Sequence, residues 1–246
     1  MTETTAKKDS KLLPLSKLVP NIITIIGMCA GLSSIRFALD ARWEMAVAAI
    51  MFAAFTDGLD GKLARMLKTD SEFGAQLDSL SDFVTFGVSP AIVMFLWQLQ
   101  DIKKFGWAIT LFFIVCCALR LARFNTSLSD DEEKRENFFT GVPAPSGALL
   151  ALLPLVISFH FADFFTNNVL YTVIYMVFIG ILMSSRIPTL SLKGIRISHG
   201  IVLPIMILAA AMIAFMVIAP WTFFVVCSAL YYISIPVAVI MYVRKK

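Results

Sequence analysis

The chain has 246 residues, 59% of them apolar and only 15% charged, with a net charge of +4. Such a composition excludes a disordered chain and argues against a water-soluble globule. The modest positive balance calls for no nucleic-acid partner, because contact with anionic lipid headgroups accounts for it equally well. Near-continuous apolar runs recur along the chain, each long enough to cross a hydrocarbon layer of about 30 Å. They predict an all-α, polytopic membrane helix bundle of about eight transmembrane helices.

In chain order, residues 1–19 come first as a separate cytoplasmic segment. Leu12, Leu13, Leu15, Leu18 and Val19 interleave there with Lys11 and Lys17. The segment reads as a short interfacial helix, weakened by Pro14, or as a partly disordered tail. A transmembrane catalytic domain is expected over 20–246, with spans at 20–38, 44–66, 78–98, 105–125, 143–161, 168–185, 199–218 and 221–243. No cleavable signal peptide is expected, since the first apolar run continues to full membrane length. Gly27 and Gly31 form a small-xxx-small pair, which predicts close packing of another helix on the first span. Pro143 and Pro145 open the fifth span, where early helical N–H groups lack partners anyway. The charged stretch at 126–141 reads as a solvated cytoplasmic loop or helix. Cys29, Cys116, Cys117 and Cys227 have no ligand-like spacing and read as small buried hydrophobes.

Charge placement sets the orientation. With a cytoplasmic N-terminus, 17 of the 21 Lys and Arg residues fall on the cytoplasmic side, leaving Arg36, Arg42, Lys103 and Lys104 outside. Eight spans with both termini in the cytoplasm satisfy the positive-inside rule. Seven spans would scramble the partition.

The apolar pattern breaks most sharply after the second span. Residues 57–74 read DGLDGKLARMLKTDSEFG, and Asp78 and Asp82 follow. An acid at the centre of a membrane helix costs roughly 2.5–3.5 kcal/mol, so four of them in one place demand compensation. Residues three and four apart on a helix lie about 60° and about 40° apart around its axis. Asp57 and Asp60 therefore share a face at the end of the second span, and Asp78 and Asp82 share one at the start of the third. With the chain turning through Lys68–Glu72, the two helices are expected to be antiparallel neighbours and their carboxylates to converge. Oxygen-only ligation, with no nearby His or Cys, suits Mg2+ or Mn2+, and four acids suffice for two ions bridging a phosphoryl or pyrophosphoryl group. Gly61 and Ala64 leave room beside Asp60 for a large ligand, Arg65 can fork onto phosphate, and the backbone N–H groups around Gly74 could face one. Helix capping would explain one or two of the aspartates, not all four at this spacing.

The pattern Asp-x-x-Asp-Gly-x-x-Ala-Arg-(eight residues)-Gly-x-x-x-Asp-x-x-x-Asp resembles the signature of the CDP-alcohol phosphotransferases, integral membrane enzymes of phospholipid synthesis. All eight fixed positions agree: Asp57, Asp60, Gly61, Ala64, Arg65, Gly74, Asp78 and Asp82. PNIITIIG at Pro20–Gly27, SDFVTFGVSPA at Ser81–Ala91, ALRLARFN at Ala118–Asn125 and FFTGVPAPSG at Phe138–Gly147 are similar to the phosphatidylserine synthase branch, as is the stretch Ser184–Lys193. The last two spans carry no such likeness.

The resemblance implies transfer of the phosphatidyl group of CDP-diacylglycerol to the hydroxyl of L-serine, with release of CMP. It implies that Asp57, Asp60 and Asp78 hold the metals, and that Asp82 is the catalytic base while also touching one ion. Asp57, Gly61, Ala64, Arg65 and Gly74 would lie against the nucleotide, with Asn21 and Thr24 as further contacts. Arg120 and Arg123, then Arg186 and Lys193, are the candidates for the serine carboxylate or the lipid phosphate. The bland reading of these cations is topogenic charge snorkelling to headgroups. The family also implies a homodimer in the cell (inner) membrane, surrounded by membrane lipids, with its active site facing the cytoplasm. The rivals are the same chemistry on glycerol 3-phosphate, inositol phosphate or choline, and a cation transporter, whose site would more usually lie near the membrane midplane. A covalent-histidine route to the same product needs His-x-Lys, which neither His160 nor His199 provides.

Overall fold

The computed structural model describes residues 18–67, 71–127, 138–160, 168–190 and 202–244. The N-terminal segment up to residue 17, most of the charged 126–141 stretch and Lys193 lie outside the described residues. Helices stand at each of the eight expected positions: α1 (Val19–Leu39), α2 (Trp43–Leu67), α3 (Glu72–Asp82) continuing through a π-helical segment (Phe83–Val88) into α4 (Ser89–Trp97), α5 (Lys104–Ser127), α6 (Ala144–Ala151) with α7 (Leu153–His160), α8 (Val169–Ser184), α9 (Val202–Ile218) and α10 (Pro220–Arg244). Among the described residues, four helices are long and apolar enough to cross a membrane: Val19–Leu39, Glu72–Trp97, Lys104–Thr126 and Pro220–Met241. The helices at Val169–Ser184 and Leu203–Ile218 are apolar but shorter.

The core lies where α2, the π-segment, α4, α5, α6–α7 and α8 meet, around the fully buried Ile50, Phe86, Met94, Phe113, Leu152 and Met176. Ile22, Ile25, Ile26 and Leu32 of α1, and most of α9, are exposed instead. Outward-facing apolar side chains are what a bundle solvated by lipid requires, since hydrocarbon replaces water around it.

Two long segments depart from uniform α-helix, each at a proline. Pro90 has no N–H to donate. Just before it the chain widens to π geometry, where the Ser89 N–H and hydroxyl both reach the Val84 carbonyl, the hydroxyl at 3.0 Å. The expected 143–161 span is divided at Leu152. There Pro154 cannot donate to the Leu150 carbonyl, and the Tyr175 hydroxyl of α8 donates to it instead at 2.9 Å. Tyr175 in turn meets the Tyr232 hydroxyl of α10 at 2.5 Å, so one unsatisfied carbonyl ties three segments together. Pro143 and Pro145 stand at the N-terminus of α6 as expected.

A short antiparallel pair, β1 (Phe138–Thr140) with β2 (Pro188–Leu190), is the one departure from an all-α fold among the described residues. Gly141 closes it, its N–H bonded to the Ile187 carbonyl at 2.8 Å. At φ +78°, a Cβ on Gly141 would also sit 2.8 Å from the Ser185 carbonyl oxygen, so the position needs glycine twice over.

Candidate active site

The Gly27/Gly31 pair organises the site. A Cβ on Gly27 would lie 2.7 Å from Thr56 Oγ1 of α2, and one on Gly31 would lie 2.8 Å from Thr85 Oγ1 of the π-segment. The missing side chains therefore let α2 and the π-segment both pack closely on the one face of α1 that carries Gly27 and Gly31. Along α1, Thr24 and Gly27 meet Asp60 and Thr56, so α2 runs antiparallel to it. Asn21, Thr24 and Gly31 meet Gly74, Ser81 and Thr85, so α3 and the π-segment run parallel to it. α2 and α3 are thus antiparallel, as expected, but α1 packs against both, and they face each other across a cleft rather than along a shared seam. Helical spacing fixes which residues share a face; it does not say which third helix stands beside them.

The cleft is lined by all four aspartates together with Thr24, Thr56 and Thr85. Asp57, Asp60 and Asp78 each present a carboxylate oxygen, and these atoms lie within 4.8 Å of one another. The Asp57 and Asp82 carboxyls are within hydrogen-bonding reach of each other. Asp60 is only 4% exposed and is held by the Thr24 hydroxyl, which donates to its Oδ2 at 2.6 Å. The Ser81 hydroxyl, from α3, donates to the Thr24 carbonyl at 3.3 Å and pins α3 to the same turn of α1. Among the described residues no salt bridge reaches these four carboxylates. Converging hard oxygen donors without a paired side-chain cation are a donor set that fits a divalent ion.

The expected nucleotide contacts are distributed as follows. A Cβ on Gly61 would meet nothing within 4 Å, so that position opens onto free space. Arg65 is exposed and folds back on its own helix, Nε donating to the Gly61 carbonyl at 2.9 Å. Gly74 abuts Asn21, whose Oδ1 would be 3.0 Å from an added Cβ. Its N–H is bonded to Ser71 Oγ, the α3 cap, at 3.0 Å. The Gly74 N–H is thus engaged in the helix cap, a serine three residues before a helical N–H being the usual capping partner. The Ala64 side chain lies outside the described ones.

The expected anion-binding cations separate. Arg123 Nη1 donates to the carbonyls of Ser184 at 2.8 Å and Ser185 at 3.4 Å, capping the end of α8. Arg186 is exposed beyond that end. Arg120 lies instead beside the cleft, in electrostatic contact with Asp57 and Asp82, with its Nε buried and unpartnered and its guanidinium carbon 5.8 Å from the Phe124 ring centroid. Sequence reasoning missed Thr56, Thr85 and Ser81. The signal was there in Gly27 and Gly31, since a glycine pair marks where a facing side chain comes close.

Fold and site together define a protein of apolar helices with a cluster of carboxylates in a cleft walled by three of them. Residues 17–184 match CDP-alcohol phosphatidyltransferase, and residues 201–236 match CDP-alcohol phosphatidyltransferase 2. The chain belongs to the CDP-alcohol phosphatidyltransferase family. It is 35% identical over 225 residues, 91% of this chain and 75% of the other, to the CDP-diacylglycerol–serine O-phosphatidyltransferase of Mycobacterium leprae (strain TN). The protein of the same name from Helicobacter pylori (strain ATCC 700392 / 26695) is 32% identical over 181 residues, 73% of this chain and 74% of that one. That of Bacillus subtilis (strain 168) is 35% identical over 136 residues, 55% of this chain and 74% of its own.

Proposed function

We propose that this chain transfers the phosphatidyl group of CDP-diacylglycerol to the hydroxyl of L-serine, giving phosphatidylserine and CMP. The observation that carries the reading is the three-carboxylate cluster within 4.8 Å sharing its cleft with a fourth aspartate, Asp82, in a chain whose relatives bear that enzyme's name. Asp57, Asp60 and Asp78, together with Asp82, would hold Mg2+ or Mn2+, as two ions. When bound, such ions neutralise charge on the pyrophosphate and on the departing CMP.

The protein's own residues do the rest. Asp82 takes the proton from the serine hydroxyl as the serine oxygen bonds to the phosphatidyl phosphorus and the bond from that phosphorus to the CMP oxygen breaks. Thr24 fixes Asp60 so that the cluster is in place before substrate arrives. The open flank at Gly61, with Arg65 and the Asn21–Gly74 contact, accommodates the nucleotide. Arg120 is the cation placed to meet substrate anion, because Arg123 is engaged by α8. The distribution of Lys and Arg supports eight spans, both termini in the cytoplasm and a cleft open to the cytoplasmic face of the inner membrane. The family likeness supports a homodimer.

An acceptor panel tests the reading. Purified protein supplied with CDP-diacylglycerol and Mg2+ or Mn2+ should release CMP with L-serine, and not with glycerol 3-phosphate, inositol phosphate or choline. CMP release with glycerol 3-phosphate but not serine would overturn it.

A further inference from the structure

Besides Thr85 Oγ1 in the acidic cleft itself, two buried polar atoms near it, from different helices, have no hydrogen-bond partner among the described residues: Arg120 Nε of α5 and the Tyr231 hydroxyl of α10. The guanidinium and the phenol are near enough to interact electrostatically. The Tyr231 hydroxyl also approaches Ser146 of α6 without completing a hydrogen bond. Its neighbour Tyr232 behaves differently, spending its hydroxyl on Tyr175 in the link to α6. One of two adjacent tyrosines is therefore structural, and the other is left with an unused donor next to an unused charged donor.

Leaving a buried donor unpaired costs about 1–3 kcal/mol, and more when it is charged. Two such donors side by side at the edge of a reaction cleft are complementary to one anionic group with two oxygens. Arg120 can only donate, and a guanidinium matches a carboxylate in shape. Cations on Asp57 and Asp82 would also remove the negative charge that those residues now present to Arg120, leaving it free for an anion. Placement points to the acceptor rather than to the lipid donor, because Arg120 stands beside Asp82, the residue read as the base for the acceptor hydroxyl.

We propose that Tyr231, on the last helix, is a specificity-determining residue that grips the carboxylate of the acceptor alcohol together with Arg120. The inference rests on the reading of the acceptor as serine, and it gives the C-terminal helix a role in choosing the acceptor.

The test is the full-length Tyr231→Phe protein in detergent–lipid micelles, with KM measured separately for serine and for CDP-diacylglycerol. The loss of one hydrogen bond to a charged group should raise the serine KM about tenfold or more and leave the CDP-diacylglycerol KM unchanged. Turnover of serinol, which keeps the hydroxyl and amine but lacks the carboxylate, should be equal in wild type and variant. Tyr232→Phe should lower thermal stability without changing the serine KM. An unchanged serine KM in Tyr231→Phe, a rise confined to CDP-diacylglycerol (the lipid phosphate as the anion), or equal rises in both Phe variants would each overturn the proposal. Wild-type protein that ignores serine while using another acceptor would overturn the acceptor reading itself, and this inference with it.

Discussion

The Asp82→Asn protein should lose about 10²–10⁴-fold in kcat, the usual contribution of a positioned general base, while its affinity for CDP or CMP stays largely intact. The side chains are nearly the same shape, so packing at the start of the π-segment is preserved. Asparagine cannot take a proton, however. The three oxygens of Asp57, Asp60 and Asp78 that lie within 4.8 Å of one another do not include Asp82, and these are the groups expected to hold the nucleotide through metal. Calorimetric titration of CMP alongside a serine-incorporation assay separates the two effects. Turnover equal to wild type would remove Asp82 from the base role.

Asp60→Asn should damage both properties. Asp60 belongs to the three-oxygen cluster, is almost fully buried, and receives the Thr24 hydroxyl at 2.6 Å. The substitution removes a charge from the donor set. It also leaves Thr24 facing an amide whose two halves donate and accept, so the fixed orientation is lost. Disturbing even an outer partner of a metal site typically costs 10–100-fold in affinity or activity, so removing a ligand charge should cost at least about 100-fold in turnover. Nucleotide affinity should fall in parallel, unlike in Asp82→Asn. That contrast, measured by the same two assays, separates metal holding from proton transfer.

Much of the fold was legible because lipid imposes a simple rule: a span must be apolar for its full length, and any interruption stands out. The helices α1, α2, α5, α8 and α10 begin and end within a few residues of the expected limits for that reason. The aspartates were legible because acids are conspicuous against hydrocarbon and because helical spacing alone assigns Asp57 with Asp60 and Asp78 with Asp82. The third wall of the cleft was not. That α1 packs against both α2 and α3 follows from Gly27 accepting Thr56 and Gly31 accepting Thr85, contacts made between residues distant in sequence. The π-segment after Asp82 and the break at Leu152 were hidden for a related reason. A proline announces a missing donor, but whether the chain widens, breaks or borrows a Tyr175 hydroxyl depends on what packs alongside. Arg123 shows the limit for surface chemistry. Its spacing from Arg120 is helical, yet one caps α8 and the other faces the cleft, because a three-residue step turns two long side chains far enough to meet different neighbours.

Manganese binding to the purified protein, followed by electron paramagnetic resonance, tests most directly whether the four aspartates form a cation site. Saturable Mn2+ binding, strengthened by CDP-diacylglycerol and weakened at least about tenfold by Asp60→Asn and by Asp78→Asn, is the predicted result. Equal, unsaturable Mn2+ binding by wild type and both variants, with serine still entering lipid in excess chelator, would contradict it.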